Sequence, residues 1–457
     1  MGGAYDVVVG NAGLSGGLAA IASKSVAHRL LILAATSARP VSVRCATTSR
    51  DIEATVGCLR SLGAVVERRG EALDVTPVPR GADGGLPARL RGATLDCGES
   101  GSTLRFMLPV ACALGADATL DGSGRLPRRP LSPLRELIEE HGCALSAPGT
   151  WPVRASGRMA GGRFELRGDV SSQFVTGLLL ALSAGGQGGE VDLVPPVESR
   201  PYIDVTVDAL RRFGVDVRTS PDGLSLRVGP GSLPEGPEAI EVEGDWSNAA
   251  FWMAAGAIGD SPIRLSGLRA DSPQGDRAVC EVLERFGTRV ELDAAAGSVR
   301  VSPAPLHGIE LDAADIPDLA VPMAVVAACA SGVTHVAGAG RLRAKESDRL
   351  ASVTAMLRAL GVEVREGADD LLIRGVGSPS SAAGAARVLA PCRVDACNDH
   401  RIAMAAAVAA TRARGPVRVV GAQAVEKSYP TFFEDFRRLG GDARVVPAGA
   451  GEGGEGR

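Results

Sequence analysis

The sequence predicts an α/β fold of six repeated strand–helix–strand–helix–strand–strand units, three in each of two lobes. Three observations predict it. An amphipathic helix closed by glycine and followed by an alternating strand recurs six times. A second, almost wholly apolar helix accompanies each copy. The 457 residues are 45% hydrophobic but only 3% aromatic, with 59 glycines, so the cores are to be packed from small aliphatic groups that let helices lie close on sheets. At about 150 residues per domain, such a chain divides into two or three lobes.

In chain order the amphipathic helices are expected at 56–62, 134–141, 207–213, 279–286, 350–360 and 432–439, ending at Gly63, Gly142, Gly214, Gly287, Gly361 and Gly440. Glycine there fits the left-handed position that closes a helix with little strain. The alternation that follows, as in Gly214-Val215-Asp216-Val217, fits a half-buried strand. The apolar helices are expected around 30–35, 104–114, 175–184, 249–258, 321–330 and 402–410; being apolar on every side, they should be buried. Two lobes of three units hide them inside a ring of sheets better than one domain holding all six. The Gly/Glu-rich tail, 447–457, is expected to be disordered.

Composition closes off several functional classes. The longest apolar stretch, 319–330, falls short of the roughly 18 residues needed to cross a bilayer, so no membrane partner is expected. Met1-Gly2-Gly3-Ala4-Tyr5-Asp6 has no basic region leading into an apolar one, which argues against a secretory signal. The nine cysteines form no C-x-x-C pair and are expected as buried free thiols in a reducing cytoplasm. The five histidines lack metal-ligand spacing, so neither a metal nor another cofactor is expected. A net charge of −4 disfavours a nucleic-acid-coating surface. Any anion site must be a local basic pocket.

The functional signal lies in what precedes each apolar helix, because free N–H groups and the positive dipole end of a helix favour anions. The six starts are Ser23-Lys24-Ser25, Ser100-Gly101-Ser102-Thr103, Ser171-Ser172-Gln173, Asp245-Trp246-Ser247-Asn248, Pro317-Asp318 and Asn398-Asp399-His400-Arg401. The amphipathic helices open with Arg50-Asp51, Arg129-Pro130, Ser199-Arg200-Pro201-Tyr202, Lys345-Glu346-Ser347-Asp348-Arg349 and Lys427-Ser428; the fourth has Asp271-Ser272-Pro273-Gln274, without a cation. Ser, Asp and Asn by themselves fit ordinary N-caps. Lys24, Arg129, Arg349, Arg401 and Lys427 do not, since cations at helix N-termini oppose the dipole. Five such placements require a compensating anion, and a phosphate or carboxylate ligand is the simplest source. The fourth unit is expected to take the least part in anion binding.

The glycine-rich segments separate into two kinds. Gly10-Asn11-Ala12-Gly13-Leu14-Ser15-Gly16-Gly17 lacks the acid-terminated strand of a dinucleotide fingerprint, and no G-x-x-x-x-G-K-[ST] loop occurs. Gly98-Glu99-Ser100-Gly101-Ser102 instead leads directly into an apolar helix, where Gly101 would let a ligand approach the backbone.

Ser23-Lys24-Ser25-x-x-x-Arg29, Gly101-Ser102-Thr103-Leu104-Arg105, Arg129-Pro130, Ser171-Ser172-Gln173-Phe174, Lys345-Glu346-Ser347-Asp348-Arg349 and Asn398-Asp399-His400-Arg401, taken in order, resemble the 5-enolpyruvylshikimate-3-phosphate synthase family of enolpyruvyl transferases over about residues 20–437. The resemblance implies an inside-out α/β barrel in two lobes, each of three βαβαββ units. One lobe would comprise 1–22 and 244–446 and the other 23–243, with the active site in a cleft that closes on the first substrate. It also implies a cytoplasmic, monomeric enzyme of the shikimate pathway to chorismate, transferring the enolpyruvyl group of phosphoenolpyruvate to the 5-hydroxyl of shikimate 3-phosphate. Lys24, Ser25, Arg29, Ser171, Ser172, Ser199, Asp318 and Lys345 would hold shikimate 3-phosphate. Lys24, Gly101, Arg129, Gln173, Arg349, Arg401 and Lys427 would hold phosphoenolpyruvate. Asp318 is the implied base and Glu346, with Lys24 as second candidate, the implied acid; His400 joins the catalytic set. Two positions depart from the pattern: Ala22 stands where the family often has Gly, and Phe106 where many members have Pro or Leu.

Two other functions compete. The related transferase acting on UDP-N-acetylglucosamine carries a Cys before its Arg-Pro, whereas 122–129 contains none here. A non-catalytic anion-binding repeat scaffold would explain cations at helix starts but not Asp318 and Glu346 beside them.

Overall fold

The computed structural model describes residues 3–377 and 387–449. Among these, two helices recur in each repeat. The apolar ones are α1 (Lys24–Thr36), α3 (Gly101–Ala113), α5 (Ser172–Gly185), α7 (Trp246–Ile258), α9 (Ala320–Cys329) and α11 (His400–Ala410). The amphipathic ones are α2 (Arg50–Ser61), α4 (Leu134–Glu140), α6 (Arg200–Arg212), α8 (Val279–Arg285), α10 (Arg349–Ala359) and α12 (Phe432–Arg438). Every residue of α7, α9 and α11 is buried, as apolarity on all faces requires. The apolar helices start one to six residues before the apolar run, because the residues that open most of them are polar. The six expected closing glycines, Gly63, Gly142, Gly214, Gly287, Gly361 and Gly440, all have φ between 76° and 101°, the left-handed region that a side chain would strain.

The expected α/β class is observed, built on six four-stranded sheets among the described residues. Each sheet has one parallel pair and then two antiparallel pairs. In the second repeat, Thr94–Asp96 pairs in parallel with Thr119–Asp121, which pairs antiparallel with Val153–Gly157, which pairs antiparallel with Cys143–Leu145. The buried helix supplies the long crossover that a parallel pair needs.

Three repeats do not contain all their own strands, contrary to the expected order. Ala239–Glu241 returns from far along the chain to pair with Val41–Arg44 in the first repeat. Gly16–Ala19 pairs with Ile263–Ser266 in the fourth. Tyr5–Val9 lies between Val417–Val420 and Ala443–Pro447 in the sixth. In the first and fourth repeats the strand distant in sequence fills an edge of the sheet, and in the sixth it fills a central place, which leaves the neighbouring backbone groups paired.

The chain forms two compact lobes. The central lobe is Ala22–Glu243 with Pro273–Gly275; the terminal lobe contains the described residues up to Ile21, Gly244–Ser272, and those from Asp276 onward. Each has its own hydrophobic core: that of the central lobe centres on α1, α3 and α5, that of the terminal lobe on α7, α9 and α11. Of the expected disordered tail, Pro447 instead closes the last strand, where it pairs with Tyr5; residues 450–457 lie outside the described residues. No described helix is long and apolar enough to cross a membrane. All nine cysteines are free, but not all are buried as expected. Cys397, in the turn before α11, is exposed, whereas Cys392, which opens an edge strand, and Cys280, on α8, are half-buried against the core.

Candidate active site

In the central lobe the polar residues gather at the starts of α1, α3 and α5; α3 packs along α5, and α5 against α1. Ser100 and Ser171 are working N-caps, accepting from Thr103 N at 3.2 Å and Gln173 N at 3.3 Å. Ser23 is not: its hydroxyl donates to Gln274 Oε1 at 3.0 Å. Lys24, the first residue of α1, pairs with Asp51 Oδ2 at 2.9 Å. Arg29 is buried, and its guanidinium donates only to neutral oxygens: Thr206 Oγ1 (2.8 Å), Thr176 Oγ1 (3.1 Å) and the carbonyls of Ser25 (2.5 Å) and Tyr202 (2.9 Å). Burial, partly offset by Tyr202, lowers its guanidinium to about 9. The departure at Phe106 has a physical counterpart, because the Arg29 guanidinium carbon lies 5.2 Å from that ring.

Gly101 begins α3, and its lack of a side chain is used. A Cβ there would stand 2.5 Å from Arg129 Cζ, so the guanidinium lies directly on the glycine. Gln173 is fixed at both ends, accepting from Arg105 Nη1 at 2.7 Å and donating to Ser102 Oγ at 2.9 Å. Arg105 also donates to Pro130 O at 2.9 Å, tying the Arg129-Pro130 segment to α3. Ser172 opens α5 and is buried; Ser199, ahead of α6, is buried with φ 54°.

In the terminal lobe the residues converge on Asp318. Its Oδ1 accepts from Arg349 Nη1 at 2.9 Å and lies 3.8 Å from Lys345 Nζ; its Oδ2 accepts from Arg401 Nη2 at 3.0 Å. Arg349 also donates to Glu346 Oε2 at 2.6 Å and, through Nε, to Asp399 Oδ2 at 2.8 Å. Asp399 caps α11 by accepting from Arg401 N at 2.9 Å, and His400 Nδ1 lies 3.8 Å from its Oδ1. Lys427 Nζ donates to Asn398 O at 2.7 Å. Arg401 Nη2 also donates to Ser247 Oγ at 2.6 Å, while its buried Nε meets no acceptor among the described residues.

This convergence sets the electrostatics. Burial would raise the Asp318 carboxyl, but Arg401, Lys345 and Arg349 outweigh it and hold it far below the usual carboxylate range. Burial lowers Lys345 to about 8 despite Asp318. Burial works against the Arg349 charge too, yet Asp399, Glu346 and Asp318 raise its guanidinium well above its ordinary value. The cluster therefore holds carboxylates and cations in mutual balance.

Two expectations need correction. Arg129, Lys345 and Lys427 are not at helix N-termini. They follow or end the 3-10 turns Leu126–Arg128, Gly340–Ala344 and Ala422–Lys427, at whose C-terminal ends a cation is favourable. Nor do the remaining helix-start cations need a ligand for charge balance: Asp51 serves Lys24, Asp318 serves Arg401, and Asp318, Glu346 and Asp399 serve Arg349. Sequence reasoning gave no role to Arg105, Ser102, Asp51, Asp399 or Ser247. All five stand inside the quoted motifs and helix starts; what was missing was the pairing between distant segments.

Comparison with known proteins places the chain in a family. The family model described as EPSP synthase (3-phosphoshikimate 1-carboxyvinyltransferase) matches residues 8–436. A Clostridium kluyveri protein named 3-phosphoshikimate 1-carboxyvinyltransferase is 37% identical over 92% of this chain and 94% of its own. A protein of that name from Halobacterium salinarum is 36% identical over 92% of this chain and 95% of its own. The solved EPSP synthase of Acinetobacter baumannii superposes with a TM-score of 0.79 at 27% identity, covering 96% of this chain and all of that one. With a family model matched over most of the chain and relatives this similar over nearly their full length, the chain belongs to the EPSP synthase family.

Proposed function

We propose that the protein transfers the enolpyruvyl group of phosphoenolpyruvate to the 5-hydroxyl of shikimate 3-phosphate, releasing phosphate, as a monomeric cytoplasmic enzyme. The observation that carries this reading is the Asp318 cluster: a carboxylate held by Arg349, Arg401 and Lys345, with Glu346 on the same Arg349. Arginines suit the phosphate and carboxylate of phosphoenolpyruvate because their planar forks bind such groups bidentately. Arg129 on Gly101 and the fixed Gln173 offer further donors to the same substrate. Lys24, Ser25, Arg29, Ser171, Ser172, Ser199, Asp318 and Lys345 are assigned to shikimate 3-phosphate. Among the described residues the Arg29 guanidinium donates to neutral oxygens, which supports its place in that set. Free thiols throughout fit a reducing compartment.

The internal ion pairs suggest how acid and base are made. Without ligand, Arg349 keeps Glu346 paired and helps hold Asp318 ionised and weakly basic. An incoming anion on Arg349 and Arg401 competes for those guanidiniums. Glu346, left beside negative charge, then takes up a proton, and Asp318 gains basicity. Glu346 gives its proton to the methylene carbon while the 5-hydroxyl oxygen bonds to the neighbouring carbon and yields its proton to Asp318. In the second half the carbon–oxygen bond to phosphate breaks, Asp318 returns its proton to the leaving phosphate, and the methyl group returns a proton to Glu346. Lys24 remains the second candidate acid, and His400 beside Asp399 an orienting partner.

The test is phosphate release from phosphoenolpyruvate with and without shikimate 3-phosphate. Release that requires both substrates is expected; no release with both present sinks the reading. Sedimentation at working concentration checks the monomer.

A further inference from the structure

We propose that Asp276, acting through Ser247, is a positioning residue that sets the hold of Arg401 on Asp318 and hence on the anionic substrate. The inference rests on the reaction proposed above, and nothing in the motifs of the sequence singles Asp276 out.

Asp276 lies in the 3-10 turn Gly275–Ala278 that leads into α8, and it is buried. Its carboxyl is hydrogen-bonded by the side chain of Ser247 in the first turn of α7. The same hydroxyl accepts from Arg401 Nη2 at 2.6 Å. A serine hydroxyl has one proton. Since its oxygen receives Arg401, that proton goes to Asp276, so the Asp276 carboxyl fixes the direction of the lone pair that Arg401 uses. The same Nη2 donates to Asp318 Oδ2 at 3.0 Å, and Nη1 donates to the Asp318 backbone O at 3.2 Å. Arg401 is therefore anchored between the fourth and fifth repeats, with Asp276 at the far end of one anchor. Such chains of hydrogen bonds reinforce one another away from water.

Charge gives the arrangement a second effect. The groups bearing on Asp276 are Ser247 and Asp245 from the start of α7, Asp318 ahead of α9, and Arg401 on α11. Burial first, then the negative charge of Asp318, raise the carboxyl to about 7 against the pull of Arg401. Two acids thus share one arginine, with Asp318 ionised and Asp276 neutral at mildly acidic pH. Once Asp276 ionises, it draws part of the Arg401 charge away from Asp318. Asp318 then becomes the stronger base, and Arg401 the weaker anion site.

The experiment compares wild type with D276N, D276A and S247A by steady-state phosphate release between pH 6 and 8, with melting temperatures alongside. For wild type, KM for phosphoenolpyruvate is expected to rise with pH across this interval. D276N keeps an oxygen for Ser247 but cannot ionise, so its KM should stay flat. D276A and S247A should each raise KM about tenfold, the size expected for loss of one bond to a charged group, and the double variant should be no worse than either. A D276N profile parallel to wild type, or a fall in melting temperature with kinetics unchanged, overturns the proposal. If wild type itself releases no phosphate, the reaction assignment fails separately. The infrared difference spectrum of the ligand-free protein between pH 6 and 8 then decides: a carboxyl band present in wild type and missing in D276N supports the inference, and identical spectra overturn it.

Discussion

In the proposed mechanism, Glu346 and Gly101 are the positions where a single side chain, or its absence, is expected to matter most. Glu346 shares Arg349 with Asp318 and Asp399, so replacing it with Gln keeps an oxygen within reach of Arg349 Nη2 while removing the transferable proton. Glu346→Gln should lower kcat by about 10²- to 10⁴-fold, the range for a general acid, with KM for phosphoenolpyruvate changed only a few-fold; near-normal kcat in steady-state assays would take Glu346 out of the mechanism. At Gly101 a methyl group would collide with the Arg129 guanidinium. Gly101→Ala must therefore displace Arg129, and KM for phosphoenolpyruvate should rise about ten- to a hundredfold, as for loss of a charge-assisted bond, while shikimate 3-phosphate binds as before. Arg129→Ala should have the same effect, and adding Gly101→Ala to it should do little more. Calorimetric titration with each substrate checks all three, and additive losses would mean that the two residues act separately.

At the scale of the element, the legible part was whatever depends on local conformation or periodicity. The six closing glycines were visible because only the left-handed position selects glycine so consistently, and the buried helices because apolarity on every face has one outcome. Strand exchange was hidden: Gly16–Ala19 and Ala239–Glu241 are short, and nothing local says that they complete sheets more than 190 residues away. For the candidate site, residue types could be read from the sequence but their pairings could not. Asp51, Asp399 and Ser247 read as ordinary helix-start residues until their partners Lys24, Arg349 and Arg401 are placed. The sheet of the fifth repeat carries a comparable pairing away from the site. His335 lies between Glu310 at 2.7 Å and Asp370 at 3.1 Å. The Glu310 bond, helped by Asp370, raises its imidazole above its ordinary value. The resulting stability is full below the unfolded value near 6.5 and is lost as pH climbs through the raised folded value. Because both carboxylates are solvent-accessible, the contribution should stay under about 1 kcal/mol. His335→Gln should melt slightly below wild type at pH 6 and level with it at pH 9. A gap that persists at pH 9 would mean that His335 acts through packing rather than charge.

For the whole molecule, the separation of the two hydrophobic cores has a consequence for folding. The central lobe holds its own core, and the strand that completes its first sheet, Ala239–Glu241, lies within the same continuous stretch. A fragment from Ala22 to Glu243 therefore contains every strand of its three sheets. It lacks only Pro273–Gly275, and with it the Gln274 amide that donates to Glu243 Oε1 at 2.8 Å and the carbonyl that accepts from Ser23. Losing those buried bonds costs about 1–3 kcal/mol for each group left without its partner, against the 5–15 kcal/mol typical of a domain. The fragment should fold alone and melt cooperatively, but below the intact protein. The terminal lobe has no such continuous stretch: Tyr5–Val9 and Gly16–Ala19 must reach its sheets from the other side of the central segment, so residues 244–449 alone lack two strands. That piece should stay unfolded until 1–21 is supplied, either joined by a short linker or added as a peptide. Circular dichroism melts and amide dispersion in NMR spectra of the two fragments give the answer. A folded 244–449 piece, or an unfolded 22–243 piece, would mean that the exchanged strands do not govern the stability of their lobes.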